Sequence, residues 1–348
     1  MKKKNQTIAN RGWWLIVTTL FAAGTLTGII ADRIWTEMKI TPPTLILKRE
    51  GGYTLINPLL MCDNAEEIIG DPEIKPFKHK IAAYIDDAMN KKRASDVSVY
   101  FRDLTNGPSF GINADERFSP ASLFKVPIMI AYFKLAESRP AILKDQLVYD
   151  GKQDLNRMEN FKASHAIEPG KKYTVEKLIE MMIVYSDNNA MNLLVNHMDM
   201  EFMYKVYQDI GIVMPAAAGR NFMDDFMSVE EYTSCFRILF NSSYLNRELS
   251  ERALRYLAEP DFPQGIMGGV PHDITVAQKY GERAFAETNV KELHDCGIVY
   301  YPNMPYLLCI MSKGTDFNVL AETIKNISAM VFDEVDKGQK EYKAQSHR

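Results

Sequence analysis

Ser119-Pro120-Ala121-Ser122-Leu123-Phe124-Lys125-Val126-Pro127 is the stretch that decides how the rest of the chain is read. Ser122-Leu123-Phe124-Lys125 is the only Ser-x-x-Lys in the sequence, and the apolar spacing around it predicts a helix from near Ser122 to about Glu137. Lys125 then lies three residues on, over the same helical face as Ser122. A serine hydroxyl is a poor nucleophile until a neighbour takes its proton. A lysine desolvated by Phe124, Val126 and Ile128 has a lowered pKa and can be that neighbour. The helix start adds free N–H groups and positive potential for an oxyanion. The spacing alone means little, because a chain with this many serines gives about one such match by chance.

Working outward, Pro76 to Lys92 carries Phe77, Ile81, Ala82, Tyr84, Ile85 and Met89 at helical spacing. Val97–Phe101 alternates as a strand, and Ser109–Ile112 is its partner after the Asn106-Gly107-Pro108 turn. Downstream, Thr174 is placed to cap a helix burying Val175, Leu178, Ile179, Met182 and Ile183. Helical patterns follow at Ala190–Met198, 228–241 and 249–258. Strands Gly297–Tyr301 and Tyr306–Met311, joined by a Pro-Asn-Met-Pro turn, precede a helix over Ala321–Val335. Strands from both ends of this region can form one antiparallel sheet with helices inserted between them. The expected class is α+β: an antiparallel sheet flanked by helices, plus an all-helical subdomain.

The chain has 348 residues, 46% hydrophobic and 25% charged, the balance of a folded globular protein. A net charge of -4 and the lack of a basic patch with interleaved aromatics exclude nucleic acid as a partner. The six histidines have no metal-ligand spacing, so no metal and no cofactor is expected. Gly12 to Ala31 is uncharged and long enough to cross a bilayer, and Lys2, Lys3, Lys4 and Arg11 precede it. This gives a cytoplasmic basic tail at 1–11, one transmembrane helix at 12–31 and a juxtamembrane spacer at 32–72. The globular domain spans 73–335 outside the cytoplasm, and a polar tail covers 336–348. A cleaved signal peptide is the competing reading, but the run is long for one and no clean cleavage site follows. Cys62, Cys235, Cys296 and Cys309 read either as small buried hydrophobes or as disulfide partners whose connectivity the spacing does not give.

Two further motifs change the weight of the first. Ser186-Asp187-Asn188 falls between two helices, and in isolation reads as a cap. Lys279-Tyr280-Gly281, in isolation, reads as an edge-strand lysine with a turn glycine. Taken in order with Ser122-x-x-Lys125, the three resemble the motif series of the penicillin-recognising serine enzymes, which include class A β-lactamases and D,D-peptidases. Ser119–Pro127 resembles the class A nucleophile helix. Tyr185–Leu194 is similar to the central segment of that class, and His294–Tyr300 with Pro305–Leu308 to its last two strands. The resemblance covers about 73–335.

The resemblance implies roles by position. Ser122 is the acylated nucleophile, and Lys125 accepts its proton. Ser186 relays a proton to the leaving nitrogen. Asn188 holds the substrate amide and the Lys125 head. Lys279 supplies positive charge for a substrate carboxylate. The amides of Ser122 and Glu282 form the oxyanion hole beside Tyr280 and Gly281. The implied substrates are β-lactams or small peptidoglycan stem-peptide-like amides.

There are departures. Class A enzymes carry a loop glutamate that activates the deacylating water, yet Gly211–Asp225 has no Glu-x-x-Leu-Asn. Asp224 or Asp225 is the nearest substitute. Tyr280 stands where the family usually has Thr or Ser, and no arginine aligns on Asp295–Val299. The expectation is a membrane-anchored serine hydrolase with slow β-lactam turnover. The alternatives are a catalytically weak or inactive cell-wall or partner-binding domain, and a Ser-Lys amidase or esterase with another substrate.

Overall fold

Five strands carry apolar residues on both faces, and this sets the architecture of the computed structural model, which describes residues 53–57, 74–105, 107–215 and 225–346. The uncharged run at 12–31, most of the spacer, Cys62 and Asp224 lie outside the described residues. Among the described residues no helix is long and apolar enough to cross a membrane.

The strands β1 (Asp96–Asp103), β2 (Ser109–Ile112), β5 (Val276–Phe285), β6 (Val290–Val299) and β7 (Tyr306–Gly314) form one antiparallel sheet in the order β2-β1-β7-β6-β5. Val97, Val99 and Phe101 of β1 and Leu308 and Ile310 of β7 face one core. Tyr100, Leu307, Cys309 and Met311 face the other. The period of two sorts side chains to opposite faces. The first core is closed by α1 (Ile74–Asn90) and α9 (Phe317–Ser346), the second by the helices inserted between β2 and β5. The expected α+β fold is the one observed.

Lys125–Ser138 (α2) is buried nearly all round. It runs through the middle of the molecule rather than along its surface, as an apolar helix must. Around it stand α3 (Val175–Val184), α4 (Asn188–His197), α5 (Met200–Asp209), α6 (Val229–Phe240) and α7 (Arg247–Leu257). Thr174 caps α3 through Lys177 N, as expected. Ser228 and Glu231 form a reciprocal capping box on α6. A small hairpin, β3 (Gln146–Val148) with β4 (Lys172–Thr174), and a single helical turn α8 (Gly265–Gly268) complete the elements.

Two boundaries differ from those read in the sequence. The last helix continues to Ser346 past the expected end at 335. The Asp336–Lys340 ion pair at 2.6 Å and the Tyr301 hydroxyl donating to Asp336 at 2.9 Å support that extension. Residues 53–57, assigned to the spacer, dock on the domain. Glu251 of α7 accepts Thr54 N, Thr54 Oγ1, Leu55 N and Ile56 N at 2.7–3.0 Å. Cys296 and Cys309, directly opposed across β6 and β7, form a disulfide, while Cys235 is free and buried.

Candidate active site

The turn that carries Ser122 is built before the helix begins. Ala121–Phe124 forms one 3-10 turn that leads into α2. Ala121 holds φ 46°, in the left-handed region that costs a non-glycine residue about 1–3 kcal/mol. That strained step places Ser122 at the head of the helix, 8% exposed. The edge strand β5 lies against the turn so closely that a Cβ on Gly281 would come 2.9 Å from Pro120 O and 3.1 Å from Ser122 N. Only glycine permits that approach. Behind the turn, Ser119 N donates to Glu292 (3.1 Å) and Arg283 donates to Ser119 Oγ (2.6 Å). The His294 Nε2–H donates to Ser119 O (3.0 Å), while His294 Nδ1 accepts from Ser312 N (3.3 Å).

Two fully buried lysines converge on Ser186. Lys125 Nζ donates to Ser186 O, to Ser186 Oγ at 3.0 Å and to Asn188 Oδ1 at 2.7 Å. Lys279 Nζ donates to the same Ser186 Oγ at 3.0 Å and to Tyr280 O at 3.0 Å. Burial lowers the Lys125 ammonium to about 8, against partial support of its charge by Glu159, Asp187 and Glu282. Burial, with Lys125 as a like charge beside it, holds Lys279 well below the ordinary lysine range. The positive charge expected of Lys279 is therefore opposed by its burial, and two of its three donors are already committed within the protein. Ser186 itself sits at φ 55°, a second strained residue in the site.

Asp187 is both the cap and part of the site wall. Its carboxylate accepts from Ala190 N (2.9 Å) at the start of α4, from Asn156 Nδ2 (3.2 Å) and from Ile167 N (2.7 Å). The segment 154–161 is stitched along this wall. Asn188 N donates to Asn156 Oδ1 (2.7 Å), Leu155 N to Asn189 Oδ1 (2.8 Å), and Asn189 Nδ2 to Asp154 (3.0 Å). Its far end is fixed to β5, where Glu282 Oε1 accepts both Asn160 N and Phe161 N at 2.9 Å. Phe161 packs edge-on against Phe262 and Tyr280, which stack on each other 4.1 Å apart. The loop thus bridges the two walls and carries Glu159 between them, where its carboxylate accepts Asn188 Nδ2.

All of the residues expected at the site come together here: Ser122, Lys125, Ser186 and Asn188 on one side, Lys279, Tyr280, Gly281 and Glu282 on the other. Asp225 is not among them, because it pairs with Lys313 at 2.6 Å. Glu159 was not legible in advance, since it lies in a stretch with no helical or strand period. Its carboxyl lies beside that of Glu282, whose burial, reinforced by Glu159, pushes it up to about 8.

A serine at the head of a buried helix, a lysine with a lowered pKa one turn on, and a second serine held between two lysines define a serine hydrolase of the β-lactamase type. The sequence model of the β-lactamase enzyme family matches residues 77–335, and the chain belongs to that family. No curated protein sequence matches it. Among solved structures, a class A β-lactamase from Bacteroides cellulosilyticus has a TM-score of 0.63 at 17% identity, covering 75% of this chain and 99% of its own. A β-lactamase from Chitinophaga pinensis has a TM-score of 0.63 at 19% identity, covering 75% and 100%. A point mutant of PBP-A, solved as an acyl-enzyme complex with penicillin G, has a TM-score of 0.61 at 21% identity, covering 77% and 100%. At these identities the likeness shows the fold.

Proposed function

We propose that this chain is a membrane-anchored serine hydrolase, acylated at Ser122 by β-lactams or D-Ala-D-Ala-like amides, that turns β-lactams over slowly. The observation that carries the reading is the Lys125 ammonium, buried and lowered to about 8, bonded to Ser186 and Asn188 one helical turn from Ser122. Neutral Lys125 takes the Ser122 proton as Oγ attacks the carbonyl carbon. The amides of Ser122 and Glu282 receive the oxyanion, and Ser186 hands a proton to the leaving nitrogen. Slow release follows from the missing loop glutamate, since general-base help is worth ~10²–10⁴-fold. An extracytoplasmic location is supported by the Cys296–Cys309 disulfide and by the basic flank before residues 12–31. The test is intact-mass spectrometry after benzylpenicillin, with Ser122→Ala beside the wild type. The expected result is a mass gain equal to the drug in the wild type alone, decaying over minutes or longer. A non-catalytic binding domain is the second reading, favoured by Asn188 Nδ2 being already engaged by Glu159 and Leu155 O. Absence of any adduct at millimolar drug would establish it over the first.

A further inference from the structure

The left-handed step at Ala121 needs a restraint, and the turn itself supplies little of one. Pro120 has no N–H to donate, and no side chain caps the 3-10 turn that follows. A residue at positive φ persists only where its surroundings over-determine it. Those surroundings act on the residues just upstream. Ser119 is buried, and side chains of β5 and β6 hold all three of its polar atoms. Glu292 accepts its N–H at 3.1 Å, Arg283 donates to its Oγ at 2.6 Å, and the His294 Nε2–H donates to its O at 3.0 Å. Phe118 is pinned in turn, its N donating to Met227 O at 2.9 Å and its O accepting Met227 N at 3.1 Å.

The sheet sets the spacing of these grips. Gly281 pairs with His294, and Arg283 with Glu292, across β5 and β6. Directly opposed residues share a sheet face, and so do residues two apart. One face therefore presents four positions to residues 119–122: the bare backbone of Gly281 against Ser122 N, and three side chains on Ser119. Glu292 also pairs with Lys313 of β7, so Arg283, Glu292 and Lys313 make one row of alternating charge. Glu292 and His294 are fully buried. Lys313 Nζ lies 3.5 Å from Glu292 and 2.6 Å from Asp225. Against its burial, His294 and Lys313 keep the Glu292 carboxyl below the usual carboxylate range. A charged acceptor makes the stronger hydrogen bond to Ser119 N. Lys125, Ser186, Asn188 and Lys279 bond among themselves, so this network is separate from the groups that move protons.

We propose, resting on the acyl-serine reading above, that Glu292 and His294 are positioning residues for the nucleophile. By fixing the N–H and the carbonyl of Ser119 they hold the left-handed step at Ala121, and that step keeps the Ser122 hydroxyl and N–H aimed into the site. The grip acts through the backbone of residues 119–122 and touches no substrate.

The test is the rate of Ser122 labelling by a fluorescent penicillin in the full chain, for Glu292→Gln, His294→Leu and His294→Gln, each alone and combined with Ala121→Gly. Glycine adopts a left-handed φ without steric cost, so it relieves the step that the grip restrains. Alone, Glu292→Gln and His294→Leu should lower the limiting rate at saturating drug by about tenfold, within what release of one strained residue allows, with the half-saturating concentration kept. His294→Gln, which keeps an N–H donor at similar reach, should recover most of the rate. Combined with Ala121→Gly, Glu292→Gln and His294→Leu should each cost about twofold or less. A role in stability alone would lower the urea midpoints and leave the rate losses the same in both backgrounds. Equal losses with and without Ala121→Gly, or no loss in folded Glu292→Gln and His294→Leu, overturn the inference and leave the acyl-serine reading standing. Should His294→Leu not fold, Glu292→Gln, which keeps shape and an acceptor oxygen, decides alone. No labelling of the wild type overturns both.

Discussion

Lys125 can act as the base only when it is neutral, and its burial sets how often that occurs. An ordinary lysine at 10.5 is neutral in roughly 0.03% of molecules at pH 7, whereas a group at about 8 is neutral in roughly 9%, a gain of about 300-fold. The acylation rate should therefore climb about tenfold per pH unit below pH 8 and level off above it. The direction is fixed by the sign of the shift, because protonation removes the lone pair that accepts the Ser122 proton. The assay is the pseudo-first-order rate of Ser122 labelling by a fluorescent penicillin between pH 5.5 and 9.5, with the fold checked by circular dichroism at each end. Glu159→Gln should move the inflection to lower pH, since Glu159 is the leading charge that supports the ammonium. A rate that is flat between pH 6 and 8, or one that keeps rising toward pH 10, would refute the assignment of Lys125 as a desolvated base.

Asp295 is fully buried and pushed up to about 7 from 3.8, so the folded protein keeps a proton there that the unfolded chain releases. Stability should fall as pH rises through that window, by on the order of 4 kcal/mol at most. Asp295→Asn should lessen the fall, the rest coming from Glu282, read from urea midpoints at pH 5 and pH 8. Gly281→Ala would press a methyl group into Pro120 O and Ser122 N, and labelling should slow at least tenfold while the far-ultraviolet spectrum is kept. Arg283→Ala frees Ser119 Oγ behind the turn that carries Ser122, and labelling should slow severalfold with little change in midpoint. In membrane fractions of cells making the full chain, the protein should resist a carbonate wash and be cut by protease added to spheroplasts.

The order of elements was legible because local chemistry and tertiary packing agree at their ends. Thr174 lies where it was expected as a cap, and Val97–Phe101 falls within β1, whose Val99–Arg102 pair with the expected partner Ser109–Ile112. Helix α5 was not anticipated, although Asp199 caps it and Met203, Val206 and Tyr207 stand at helical spacing. The three-residue strands of β3 and β4 carry too few side chains to show a period. The site divides along the same line. Ser122, Lys125, Ser186, Asn188 and Lys279 stand in contiguous motifs. Glu159 acts through a contact made by an irregular loop, and no spacing rule links residue 159 to residues 188 and 282. The strain at Ala121 and Ser186 was equally hidden, since neither residue type announces a positive φ.

The family match begins at residue 77, yet the folded unit begins earlier. Glu251 is 4% exposed, and four donors from residues 54–56 are what keep its carboxylate satisfied there. A shortened chain that starts at Ile74 would retain every strand and helix described above and every residue of the candidate site, and would still lose the four hydrogen bonds to Glu251 and the buried Ile56. Hydrogen bonds to a charged group contribute about 1.5–3 kcal/mol each, less where water replaces them. Asn57, whose amide donates to Phe240 O at 2.7 Å at the end of α6, would be lost with it. Shortened versions of the chain should therefore begin before Tyr53, and a protease that cuts between residues 58 and 73 should leave the 53–57 peptide seated on the helical half, held by these hydrogen bonds and by the buried Ile56 side chain.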